Sequence, residues 1–169
     1  MRNIHVTAVD RADESILQNL FQLYTHDFSE HWAGTRDGDL NAFGRFPEYP
    51  LESYWTEAGN AALLLQVEGH VAGFALLNRH GRSGQPVDAN IAEFFVVRKY
   101  RRSGIGTNFA HDLFKARTGN WEAAVSRKNL AALGFWRSAV RGYPGVTDHR
   151  ELDIASPDWS GLVLRFGVH

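Results

Sequence analysis

Ile4, Val6 and Ala8 alternate with polar residues, which predicts a short first strand. From Glu14 to Phe28 the period lengthens. Leu17, Phe21, Tyr24 and Phe28 recur at helical spacing, Ile16, Leu20 and Leu23 widen the stripe, and Asp10 or Asp13 can cap the helix. Ser29 to Tyr54 holds no period and carries Gly34, Gly38, Gly44, Pro47 and Pro50, so it reads as a long aromatic-rich loop with one short helix ending near Ala58. Two strands follow, Ala61 to Val67 and His70 to Asn78, joined by Glu68-Gly69 as a tight turn. Arg79 to Asp88 is a loop, and Ile91 to Val97 an apolar strand with one carboxylate, Glu93, in its middle. Gly104 opens a helix carrying Ile105, Phe109 and Leu113, which Gly119 can close. Trp121 to Ser126 is a strand. Asn129 to Val140 is a helix with Leu130, Leu133, Trp136 and Val140 on its buried side, and Thr147 to Ile154 and Leu162 to Phe166 are the last strands. That order gives one α/β domain over residues 1–169, a mixed sheet with helices covering both faces.

The 169 residues are 44% hydrophobic, enough to exclude disorder, and a chain of this size buries about 70% of its unfolded surface. Eighteen basic residues against 19 acidic ones give a net charge of -1, which removes the global basicity of a nucleic-acid binder. The absence of cysteine excludes disulfide scaffolds, thiolate metal sites and a cysteine nucleophile. Met1 to Asp10 lacks the apolar stretch of a signal peptide, and apolar runs such as Ala61 to Leu65 are far too short to cross a bilayer, so the expectation is a soluble cytoplasmic protein without membrane contact.

The most informative segment is IAEFFVVRKYRRSGIGT, Ile91 to Thr107. A buried strand runs through a basic turn into a glycine pair where a helix starts. Free N–H groups at a helix N-terminus, with the dipole behind them, form an anion site, and Gly104 and Gly106 remove side chains where a phosphate must approach the backbone. A P-loop needs Gly-Lys-Ser/Thr where Gly106-Thr107-Asn108 stands, and a dinucleotide fingerprint needs a small residue where Phe109 stands. The alternative is a flexible turn with Arg101 and Arg102 solvated. His26-Asp27-Phe28-Ser29-Glu30-His31 does not have the spacing for helical zinc ligation, and no Gly-x-Ser-x-Gly elbow is present, so no metal or serine-hydrolase site is expected.

Arg101-Arg102-Ser103-Gly104-Ile105-Gly106 resembles the R/Q-x-x-G-x-G/A pyrophosphate loop of the GNAT superfamily of acetyl-CoA-dependent N-acetyltransferases. Phe95-Val96-Val97 resembles the end of that family's fourth strand. Asn129, Ala132 and Phe135-Trp136 resemble the N-x-x-A-x-x-F-Y helix after its fifth. LYTHDFSE (Leu23 to Glu30), Tyr54-Trp55 and AEFFVVRKYRR are similar to a bacterial branch of predicted acetyltransferases of unassigned substrate.

The resemblance implies the GNAT acyl-CoA N-acyltransferase fold, a mixed, mostly antiparallel sheet of six or seven strands. It implies acetyl-CoA as co-substrate. The backbone of Phe95, Val96 and Val97 would bind pantetheine, Arg101, Arg102, Ser103, Gly104, Ile105, Gly106 and Thr107 would wrap the pyrophosphate, and Asn129 and Trp136 would complete the cofactor wall. An amine must lose a proton before attack, and Glu93, read as sharing a strand face with Ile91, Phe95 and Val97, is the expected base; the alternative is a carboxylate satisfied by a neighbouring strand or arginine. The family's tyrosine general acid is replaced by Trp136, which leaves Tyr143, or a thiolate that departs unaided. Tyr24, Asp27, Phe28 and Tyr54 are the acceptor-pocket candidates for a small amine or peptide, Asp27 as a carboxylate for a cationic amine. A homodimer is compatible with the family. The rival functions are a non-catalytic acyl-CoA-binding or sensing module and another acyl transfer on the same fold.

Overall fold

The computed structural model describes residues 3–169. Its elements, in chain order, are β1 (Ile4–Ala8), α1 (Glu14–Phe28), α2 (Ser53–Thr56), β2 (Ala61–Val67), β3 (His70–Asn78), β4 (Ala89–Val96), α3 (Ile105–Ala116), β5 (Gly119–Ser126), α4 (Leu130–Arg141), β6 (Val146–Ala155) and β7 (Ser160–Val168). Short 3-10 turns span Arg11–Asp13, Ser29–Trp32 and Arg98–Tyr100. The seven strands form one sheet in the order β1-β2-β3-β4-β5-β7-β6, antiparallel at every junction except β4–β5. Glu68 and Gly69 both adopt positive φ (51° and 78°), as the two-residue turn between β2 and β3 requires.

Two cores cover the two faces of the sheet. On one, Leu17, Leu20 and Phe21 of α1 pack with Leu51 and Tyr54 over Phe74, Leu76 and Phe95. On the other, Phe109, Leu113 and Phe114 of α3 and Trp136 and Val140 of α4 pack over Ile91, Trp121 and Phe166. The aperiodic stretch between α1 and β2 is held to α1 by two glutamines one helical turn apart. Gln18 Nε2 donates to Tyr49 O (2.8 Å) while Tyr49 N donates to Gln18 Oε1 (3.1 Å), and Gln22 makes the same reciprocal pair with Phe46 (3.1 and 2.9 Å). Each amide imitates a strand neighbour, so the loop's backbone is satisfied without entering the sheet.

Three local expectations are corrected. Leu130, the first residue of α4, is 73% exposed, while Leu133, Trp136 and Val140 of the same stripe face the core. Gly119 does not close α3, which ends at Ala116; at φ 118° it opens β5. Neither Asp10 nor Asp13 makes a side-chain cap; the Arg11–Asp13 turn leads into α1 through Asp13 N donating to Asp10 O (2.9 Å). No helix among the described residues is long and apolar enough to cross a membrane.

Candidate active site

β4 and β5 pair in parallel only at Ala89–Trp121, Asn90–Glu122 and Ile91–Ala123. Beyond Ile91 and Ala123 both strands continue without pairing to each other, so the middle of the sheet opens. Two cavities of about 510 and 650 Å³ meet in that opening, and Tyr24, Phe28, Phe94, Asn129, Ala132 and Trp136 line both. The smaller runs toward the N-terminus of α3 and the larger toward β5 and the Arg79–Asp88 loop.

At the α3 end, Arg102 (φ 56°) and Gly104 (φ 81°) adopt left-handed conformations, and Gly104 is the helix N-cap. Gly104 O accepts from Asn108 N (3.0 Å), the first bond of the helix, so the N–H groups of Ile105, Gly106 and Thr107 have no intrahelical acceptor. A Cβ at Gly104 would meet nothing within 4 Å. Gly106 has a different reason: a Cβ there would stand 3.2 Å from Phe135 Cε2, so its missing side chain lets α4 close on α3. Arg101, Arg102, Gly104, Gly106 and Thr107 line the cavity, whereas Ile105 is buried in the core and Ser103 Oγ donates to Tyr100 O (2.7 Å). With its unbonded N–H groups, Arg102 beside them and open space at Gly104, this end of the cavity is suited to an anionic group.

Along β4, Val97 N donates to Ala72 O (2.8 Å). By strand alternation the backbone of Phe95 also faces β3, and that of Phe94 and Val96 faces the opening. Val96 O is taken by Arg101 Nε (2.7 Å). The backbone donors toward the cleft are therefore those of Phe94 and Val96, not the Phe95-Val96-Val97 set expected from the sequence. The Phe94 ring packs on Phe109 (5.0 Å), Phe135 (5.4 Å) and Trp136 (4.9 Å) and forms the partition between the cavities.

The register also corrects the setting of Glu93. Leu76 faces Glu93 but Leu77 faces Ile91, which makes Ala92 the extra residue of a β-bulge. The bulge sends Ile91 to the α3 side of the sheet and keeps Ala92, Glu93 and Phe95 on the α1 side. Glu93 Oε2 accepts from Tyr24 Oη at 2.6 Å, and Tyr49, held by Gln18, approaches the same carboxylate. Burial raises the Glu93 pKa above the ordinary carboxylate value, opposed by those two hydroxyls and by the more distant Arg82. Burial together with the neighbouring carboxylate pushes Tyr24 well above its ordinary value, so it is a neutral donor.

The other candidates separate. Asp27 lines the smaller cavity, but Arg98 Nε donates to its Oδ1 (2.9 Å) and Arg101 pairs with its Oδ2. Burial alone would raise its pKa; the hydrogen bonds from Arg101 and Arg98 outweigh that and lower it. Its charge is neutralised by two guanidinium groups, so it is not the carboxylate for a cationic acceptor that the sequence suggested. Phe28 stands at the junction, whereas Tyr54 is 8% exposed, packs in the α1-side core and lines neither cavity. Tyr143 lies away from the cleft, its ring against His111 (5.2 Å) and Phe114 (5.5 Å), and so is in no position to be the general acid. Asn129 Oδ1 caps α4 by accepting from Ala132 N (3.1 Å), and its Nδ2 has no partner among the described residues. Sequence reasoning missed Phe94, whose place strand alternation could have given; Tyr49 belongs to the aromatic segment expected to wall the acceptor site, and it, not Tyr54, lines the larger cavity.

The Arg79–Asp88 loop, which roofs the larger cavity, is pinned from below. Fully buried Glu122 pairs with Arg165 (2.7 Å), Ser83 donates to Glu122, and Arg165 Nη2 donates to Pro86 O (2.8 Å). Among the described residues no group of three His, Asp or Glu side chains could hold a metal.

The splayed strands thus open a cleft with a helix N-terminus at one end and the Glu93 carboxylate at the other. The family model of the Acetyltransferase (GNAT) family matches residues 17–143, and the chain belongs to that family of acetyl-CoA-dependent N-acetyltransferases. Its fold is similar to that of an acetyltransferase from Thermus thermophilus (TM-score 0.66, 13% identity, 98% of each chain covered). It is also similar to the aminoglycoside acetyltransferase AAC(6')-Ib in complex with coenzyme A and kanamycin (TM-score 0.64, 11% identity, 96% of this chain and 94% of that one). A third likeness is to a putative acetyltransferase from Salmonella typhimurium with acetyl-CoA (TM-score 0.56, 15% identity, 98% and 94%). No curated protein sequence matches the chain.

Proposed function

We propose that this chain transfers the acetyl group of acetyl-CoA directly to a primary amine, with Glu93 as general base and the two cavities as the carrier and acceptor halves of one site. The observation that carries the reading is the position of Glu93: a buried carboxylate on the acceptor side of the Phe94 partition, with a raised pKa and two tyrosines at its oxygens.

Acetyl-CoA supplies an acetyl thioester. The free N–H groups of the first turn of α3 and the Arg102 side chain hold its pyrophosphate, the free donors of Phe94 and Val96 take the arm, and Asn129 Nδ2 offers one more hydrogen bond. An amine with a lysine-like pKa of about 10.4 arrives protonated, and Glu93 takes that proton. The nitrogen lone pair forms the N–C bond, the C–S bond breaks, its electron pair leaves on sulfur, and the second proton of the nitrogen passes to that sulfur, directly or through water, to give the amide and the CoA thiol. With a thiol pKa of about 8.5, the thiolate departs near neutral pH without a dedicated acid, consistent with Trp136 at the cleft and Tyr143 outside it. No cysteine is available to carry an acyl intermediate, which favours direct transfer.

Thermal melts with acetyl-CoA, free CoA and ATP test the carrier half. At 100 times its Kd a ligand stabilises by about 2.7 kcal/mol, on the order of 5–11 °C for a chain of this length. Shifts with acetyl-CoA and CoA but not ATP support the reading; no shift at millimolar acetyl-CoA overturns it.

A further inference from the structure

The acceptor cavity carries a hydrogen-bond chain whose polarity can be read from one fixed donor. His80 N donates to Asn78 Oδ1 (3.0 Å), and a backbone N–H can only donate, so the Asn78 oxygen must face it. Asn90 therefore presents its amide nitrogen to the same oxygen, at 2.9 Å. The Asn78 nitrogen in turn is directed to Tyr54 Oη (3.5 Å). The chain leaves Asn90 Oδ1 as its unpartnered acceptor. Asn90 is only 7% exposed, lines the cavity, and its Oδ1 is buried with no hydrogen-bond partner. A buried acceptor left unmade costs about 1–3 kcal/mol, which a bound donor recovers. Asn90 stands on β4 three residues before Glu93, and Ala92 is the extra residue of the bulge between them.

The other charged groups of that cavity complete the pattern. Arg82 lies on the pinned loop with its guanidinium 4.6 Å from the centroid of the Trp159 ring, and it forms no ion pair among the described residues. His80 faces outward against Glu57 (3.5 Å). The lining of this cavity thus includes two acceptors for N–H groups, Glu93 and Asn90 Oδ1, and one guanidinium, that of Arg82, without a counter-ion among the described residues. A planar guanidinium held by an aromatic face is suited to bidentate contact with a carboxylate.

We propose that the acceptor is an amino carboxylic acid, its amine held between Glu93 and Asn90 Oδ1 and its carboxylate by Arg82. The proposal rests on the N-acetyltransferase reading and narrows the substrate class of the same site.

The test is CoA-thiol release with acetyl-CoA against free amino acids, their α-amides and the corresponding decarboxylated amines. The acids should exceed their amides by tenfold or more in kcat/KM. Arg82→Gln should bring that ratio near unity through KM, Arg82→Lys should restore part of it, and acetyl-CoA affinity should stay unchanged in both. Asn90→Leu, which removes the unpaired acceptor without leaving a new one, should raise the KM of every amine, charged or neutral. Amides or decarboxylated amines used as well as the acids, with Arg82→Gln indifferent, overturn the proposal and leave the enzyme reading intact. Acetyl-CoA binding with no turnover of any compound in the three sets also overturns it. Loss of the acetyl-CoA melt shift overturns the underlying reading instead.

Discussion

Asp27, in the last turn of α1, and Arg101, at the start of the glycine loop, pair across the mouth of the cleft, while Arg101 Nε holds the carbonyl of Val96 at the end of β4. One arginine thus ties a helix, a strand and the anion loop together, and Arg98 adds a second bond to the same carboxylate (2.7 Å). The charge nearest the loop is partly committed to structure, which leaves the helix N-terminus and Arg102 as the free anion-binding elements.

Asp27→Asn should therefore lower stability near pH 7 by about 1 kcal/mol, or roughly 2–4 °C in Tm, since this pair is partly solvent-screened. The folded pKa of Asp27 is depressed, so its stabilisation is present above the ordinary carboxylate range and is lost as pH falls through the folded value. The Tm gap between variant and wild type should narrow as pH falls below the ordinary carboxylate range. A gap independent of pH contradicts the ion pair as its cause.

Glu93→Gln should reduce kcat/KM by about 100-fold or more at pH 7 and leave acetyl-CoA affinity within about twofold. The raised pKa places the acid limb of the wild-type pH profile above the ordinary carboxylate range. Tyr24→Phe removes a hydrogen bond that favours the carboxylate, so it should move that limb to higher pH. Stability has the matching sign: a group whose folded pKa is raised contributes stability below its unfolded pKa and loses it as pH rises through the folded one. Glu93→Gln should accordingly gain Tm relative to wild type as pH rises above the ordinary carboxylate range.

Gly104→Glu should abolish CoA binding, at least tenfold in Kd by calorimetry, with the protein still folded. Nothing blocks the side chain sterically, and the cost of a left-handed backbone is about 1–2 kcal/mol. Gly106→Ala should act through packing, because its Cβ would press on Phe135, and should lower Tm by several degrees.

Tyr143→Phe should leave kcat within about twofold. Its ring packs on α3 and its hydroxyl has no place in the cleft. A tenfold loss of kcat with unchanged Tm would restore it as the proton donor.

Much of this arrangement is legible in the sequence because local chemistry and global fold agree. The helix at Leu17 to Phe28, the Glu68-Gly69 turn and the strand–basic turn–glycine pair each carry their own signal. What the sequence hides lies where several elements decide together. IAEFFVV is apolar on both faces, so nothing in it marks Ala92 as a bulge, and the face of Glu93 relative to Ile91 is settled only by pairing with β3. Asp27 reads as a free carboxylate because its partners are more than 70 residues away. Leu130 fits the helical stripe of Leu133, Trp136 and Val140, yet it is the first residue of α4 and stands exposed while the other three face the core.

Three residue pairs are all that join β4 to β5, and thus the four-strand half of the sheet to the three-strand half. The width of the gap beyond them is set by fillers such as Phe94, Phe135 and Trp136, not by a hydrogen-bonded ladder. The cleft is in this sense a sheet with rungs left out, and a ligand that bonds to both halves supplies them. Amide exchange at Phe94 and Val96 should slow on ligand binding far more than at Ala89 to Ile91, so occupancy is written in the protection of two backbone hydrogens.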